Sequence, residues 1–214
     1  HRVPHHIKWS GFAPPNWSNF TPPLTLALGL LGLAGMSAYA APVYNKPFYN
    51  PETKSYFELY SPEFDDPNRT MSVRVYGGIG FDAAMKMAVK RRFKGVRGRL
   101  AVVKTRETDE FVIKHLRPAG SAWIGLRYYC RFKKFMWITG EILRPGKDFS
   151  NWHPRGWRFD GSSPGGGTPS WCPNGRTSAL PVHYWGSRHG FHWNANGFAK
   201  QFNMMIIEYR TGKP

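Results

Sequence analysis

The residues best able to do chemistry are eight histidines and two cysteines. His183, His189 and His192 lie close together in sequence, with Ser187 among them. A hydrolase needs a nucleophile, a base and an orienting acid in register. No Gly-x-Ser-x-Gly elbow and no His-Glu-x-x-His pair occurs, so no catalytic residue is assigned and the chain is read as a non-enzyme. His1, His5 and His6 sit in an N-terminal stretch where plain solvated side chains suffice as an account. Cys130 and Cys172 allow one bridge at most and exclude a Cys₄ metal centre; no metal or cofactor is assigned.

The elements that must position such groups are unevenly distributed. Residues 1–23 are rich in Pro, His and aromatics and form an extended arm. Residues 24–41 carry no charge and are just long enough for a transmembrane helix, which needs roughly 20 residues. Leu24, Leu28 and Leu31 would face lipid or neighbours, and Gly32 and Gly35 permit close helix contact. A signal-like remnant ending at Ser-Ala-Tyr-Ala, or a buried helix, are the alternatives. The chain opens on His1, as a processed chain or a cloned fragment would. Residues 42–72 form an aromatic, Pro-rich linker with little regular structure expected. Asn16, Asn19 and Asn68 head glycosylation sequons.

From residue 73 the patterning becomes regular. Val73–Tyr76 alternates as a strand does. Phe81, Ala84, Met85, Ala88 and Val89 fall on one face of a helix over 81–94. Leu100–Val103 reads as a short strand. Thr105 caps a second helix with acids in its first turn, running through Phe111, Val112 and Leu116. Trp123-Ile124-Gly125-Leu126, Phe135-Met136-Trp137, Asn151-Trp152, a Gly/Pro-rich loop over 153–178, Trp193-Asn194-Ala195 and Met205–Glu208 follow. The expected class is α+β: two helices, small antiparallel sheets and a long loop.

This order of elements resembles the C-type lectin-like domain over residues 73–214. The resemblance implies a binding module. It also implies departures. The family's first disulfide would join positions 88 and 207, which are Ala88 and Ile207 here; the second would end at Phe198. Cys130 and Cys172 match neither. The family's Trp-Asn-Asp becomes Trp193-Asn194-Ala195, so calcium-dependent sugar binding is not expected. Trp157, Trp171 and Trp185, with Arg155 and Arg188, are the candidate partner face.

The formal net charge of +17 favours an acidic partner. Lys86, Lys90, Arg91, Arg92 and Lys94 form a candidate patch for anionic lipid or an acidic partner. No specific nucleic-acid motif is present. Together these features suggest an accessory subunit of a mitochondrial inner-membrane respiratory complex, contacting other subunits and anionic lipids. The alternatives are a type II lectin-like receptor of the plasma membrane or secretory pathway, and a ribosome-bound protein.

Overall fold

Closing strand and second strand set the frame. In the computed structural model, residues 42–64, 78–154, 179–197 and 199–214 are described. The strands are β1 (Phe48–Asn50), β2 (Ser55–Tyr60), β3 (Ile79–Gly80), β4 (Arg92–Phe93), β5 (Val96–Arg97), β6 (Arg99–Leu100) and β7 (Ala122–Tyr129). They continue with β8 (Lys134–Trp137), β9 (Ile142–Leu143), β10 (Ala179–Tyr184), β11 (Trp193–Ala195), β12 (Gln201–Phe202) and β13 (Met204–Tyr209). Helix α1 spans Phe81–Lys90 and α2 spans Arg106–His115.

Among the described residues the main sheet runs β1-β2-β13-β7-β10-β11, with β6 on β13, β8 on β7 and β9 on β8. The β13–β7 pairing is parallel and the others are antiparallel. Two small ribbons, β3–β12 and β4–β5, flank it. One buried cluster lies beneath α2, built on Val112, Leu116, Ile124 and Trp193. A second lies beneath α1, built on Phe81, Ala84, Ala88, Trp123 and Ile207.

Several expectations hold in detail. Thr105 caps α2, its Oγ1 accepting from the Thr108 N–H at 3.1 Å. Trp123, Ile124 and Leu126 of β7 are fully buried. Gly125 is required between them by close approach. A Cβ there would come within 2.9 Å of the Leu100 carbonyl and 3.0 Å of the Ala101 carbonyl. That approach lets the Gly125 N–H bond Ala101 O at 2.8 Å.

Other expectations are corrected. The span 42–72 holds the β1–β2 hairpin, and β2 pairs with β13 over Tyr56–Tyr60. Five of the six β2 residues are buried, so the two-residue alternation that marks a half-exposed strand is missing. Helix α1 ends at Lys90, because Arg91 turns extended (φ −72°, ψ 147°) and Arg92–Phe93 enters the β4–β5 ribbon. Val89, expected on the apolar face, is 48% exposed. Val73–Tyr76 lies outside the described residues, as do the expected span with Leu24, Leu28, Leu31, Gly32 and Gly35, and Phe198. No helix among the described residues is long and apolar enough to cross a membrane.

Positions 88 and 207 lie in the same buried cluster, close to one another as the resemblance implied. Both are fully buried in the cluster under α1. Gly98 is wedged between them: a Cβ there would lie 2.6 Å from Ile207 Cγ2 and 2.7 Å from Ala88 O. Apolar contact is only half of what ties this corner. Glu58 on β2 and Glu208 on β13 are buried, and each is reached by an arginine, Arg91 and Arg99 respectively. Arg91 Nη2 donates to Glu58 Oε1 at 2.8 Å. Arg99 Nη2 donates to Glu208 Oε2 at 2.9 Å, and Ser55 Oγ donates to Glu208 Oε1 at 3.2 Å. The Val102 N–H adds a further bond to Glu208 Oε2 at 3.2 Å. Buried carboxylates need such complete pairing to be tolerated.

Candidate functional site

The polar and aromatic side chains around the base of the long loop begin with Asp109, on the buried face of α2. Tyr184 Oη donates a short hydrogen bond to its Oδ1, and Asn151 Nδ2 donates to its Oδ2 at 2.8 Å. Burial pushes the Asp109 carboxyl up to about 6, partly offset by these donors. Since its amide nitrogen is a donor, Asn151 presents Oδ1 as acceptor, and His192 Nδ1 donates to it at 2.6 Å. A line of polar contacts therefore runs from α2 to the half-buried His192.

His192 opens onto an aromatic group. The Trp185 and His189 rings lie against one another with centroids 4.3 Å apart, tilted by an interplanar angle of 31°. His153, on the last described turn before residue 155, stands edge-on to Trp185 at 5.0 Å and to His189 at 5.8 Å. The 3-10 turn Ser187–His189 carries His189 and the exposed Arg188, and Gly190 (φ 64°) closes it. The Trp185 side chain is half-buried, and its backbone N–H donates to His192 O at 2.7 Å. Trp185 and Arg188 of the expected face thus come together here. Arg155, Trp157 and Trp171 lie outside the described residues. His153 and His189 were not singled out as a pair with Trp185, because 36 positions separate His153 from His189 and no local pattern joins them.

His183 has a different character. It is fully buried on β10, its Nδ1 donating to Tyr184 O at 2.9 Å while its Nε2 accepts from Asn196 Nδ2 at 2.8 Å. Burial drives its pKa down to about 4, so it is a neutral structural ring with both nitrogens occupied. Its spacing to Ser187 therefore carries no catalytic geometry.

The expected basic patch divides. Lys86, Lys90, Arg92 and Lys94 are exposed, whereas Arg91 is committed to Glu58 and lies 4.0 Å over the Tyr60 ring. Lys94 sits 5.0 Å over Tyr56. Cys130, half-buried at the base of the β7–β8 turn, is disulfide-bonded; the chain's other cysteine, Cys172, lies outside the described residues.

Two helices, a closing strand between β2 and β7, and a Trp-Ile-Gly-Leu strand at the centre make up the C-type lectin-like fold. Residues 93–165 match the family model described as Lectin C-type domain. The fold is similar to that of the C-type lectin CEL-I from Cucumaria echinata, with 17% identity, a TM-score of 0.48, and 78% of this chain and 96% of that chain covered. Human lithostathine gives 12% identity, a TM-score of 0.48, and 78% and 90% coverage. The Ca²⁺-independent C-type lectin SPL-2 from Saxidomus purpuratus gives 15%, 0.46, and 73% and 87%. No curated protein matches the chain.

The family implies a calcium site on the strand that is β11 here. Ala195, fully buried opposite Val182, offers a methyl group where an oxygen donor is needed. Asn194 is the one side-chain oxygen on β11, and a hard cation takes six to eight. Among the described residues no group of three or more His, Cys, Asp or Glu is placed to hold a metal ion. The donor set on β11 does not fit calcium.

Proposed function

We propose that the domain is a recognition module that binds a protein or glycan ligand without calcium, as a lectin-like receptor of the plasma membrane or secretory pathway. The observation that carries this reading is the tilted, close-packed Trp185–His189 ring pair, bordered by His153 and the exposed Arg188, at the base of the long loop. A half-buried indole braced by a second ring presents an apolar face suited to a sugar ring or a protein side chain. Trp and Arg are also the residue types that dominate binding energy at interfaces. Arg155, Trp157 and Trp171 belong to the same proposal. The Cys130 disulfide supports an oxidising compartment. The Lectin C-type match favours this reading over the assembly-subunit role in a mitochondrial inner-membrane complex that composition suggested.

The test is a screen of the full chain against glycan and receptor-ectodomain arrays, in calcium and in EDTA. Any ligand found should bind equally in both. Trp185→Ala should weaken it roughly 30-fold, as loss of a hot spot of about 2 kcal/mol does. Binding abolished by EDTA, or unchanged in Trp185→Ala and Arg188→Ala, would contradict the proposal.

A further inference from the structure

Along one edge of the buried face of α1, a groove of about 620 Å³ opens between the helix, β6 and the turn after β8. Its floor is Met85, Leu100 and Ile138, and Val89 forms one lip with 48% exposure. Lys86 and Lys90, one helical turn apart, stand beside Met85 and Val89 on the same side of α1. Both lysines are exposed, and neither forms an ion pair among the described residues. Arg92, Lys94 and Arg97 extend the exposed positive surface along the β4–β5 ribbon. Arg99 also lines the groove but is held by Glu208, and the acid on α1, Asp82, is neutralised by Arg127 at 2.6 Å. The surface is therefore apolar at the centre and cationic at the rim.

Two kinds of occupant match that charge: an acidic peptide and an anionic amphiphile. The groove's own backbone separates them. Ile138 donates its N–H to Gly125 O at 2.8 Å, and Leu100 is paired with Ile207 in the sheet. A peptide laid on Met85, Leu100 and Ile138 would gain no backbone pairing from the groove, and each of its amides that the groove buried unpaired would carry a cost. A hydrocarbon chain brings none. We infer that this face of α1 docks on an anionic phospholipid bilayer, with acyl-chain carbon against Val89, Met85 and Ile138 and lipid phosphates on Lys86 and Lys90. The surface is separate from the Trp185 face, so either assignment can fail alone.

The test adds the full-length chain to vesicles of phosphatidylcholine alone and of phosphatidylcholine with about one-third phosphatidylserine, and follows amide hydrogen exchange. Exchange across Phe81–Leu100 should slow on the serine-containing vesicles only. Lys86→Ala/Lys90→Ala should raise the vesicle concentration needed about 30-fold, since each juxtamembrane lysine contributes roughly a factor of five. Val89→Asp should act in the same direction. Equal slowing on both vesicles, no slowing on either, or an unaltered double-lysine variant would overturn the inference. So would equal protection by soluble polyglutamate, which would place an acidic protein on this face instead.

Discussion

Arg91 donates to Glu58 across 2.8 Å and joins the end of α1 to β2. The Glu58 side chain is 1% exposed, and Tyr209 Oη donates to its second oxygen by a short hydrogen bond. Burial together with the Glu58 carboxylate raises the Tyr209 phenol well above its ordinary range. In a domain that lacks sulfur at positions 88 and 207, this three-residue cluster links α1 to β2, and the Arg99–Glu208 pair reinforces β6 against β13.

Removing one partner should expose the cost of burying the other. Arg91→Ala should destabilise the domain by about 2–3 kcal/mol in urea unfolding, below the full range for a buried pair because Arg91 is 26% exposed. Glu58→Gln/Arg91→Met should recover most of that loss. Equal stability of Arg91→Ala and the unaltered chain would mean the pair is only decorative.

The close approach at Gly125 makes a second prediction. Gly125→Ala pushes a methyl against two β6-side carbonyls and against Ile138 Cγ1 at 3.0 Å. Overpacking of this kind costs about 1–3 kcal/mol, and the thermal midpoint should fall accordingly. An unchanged midpoint would show that β7 can shift away.

Stability against pH should reveal two opposing groups. His183 titrates near 4 when folded and near 6.5 otherwise, so the unfolded chain binds its proton first. Its contribution is complete above about 6.5 and is lost as pH falls toward 4. Asp109 titrates near 6 when folded against 3.8, so the folded chain binds that proton first. Its contribution is complete below about 3.8 and is lost as pH rises through 6. Between about pH 4 and 6 the two slopes oppose one another. Asp109→Asn removes one of them, and its urea stability should drop about 2 kcal/mol more than the parent's between pH 6.5 and 4. Parallel profiles would rule out that balance.

Much of the fold was legible because local rules and burial agree. Thr105 is both a good cap and at the right position, and Trp123–Leu126 is a continuous apolar run in a strand buried on both faces. The hairpin at 48–60 was not legible. Its second strand, SYFELY, hides a glutamate whose partner Arg91 lies 33 positions away. The fully buried β10, Ala179–Tyr184, was equally hidden, since Pro181 and His183 interrupt its apolar run. Pro181, at the register shift against β7, lacks an N–H but its carbonyl accepts from Asn196 at 3.0 Å. Of the site, Trp185 and Arg188 were readable by residue type. Their bracing by His153 and His189 depends on chain reversal and could not be.

The most direct measurement asks whether positions 88 and 207 lie within cross-linking reach in the cluster under α1. In Ala88→Cys/Ile207→Cys, air oxidation of the folded protein should close a cross-link seen as an intramolecular peptide pair by mass spectrometry. Reducing that bond should lower stability by about 2–4 kcal/mol. Two thiols that stay free in the folded protein, alkylating at the rate of unconstrained cysteines, would contradict the account.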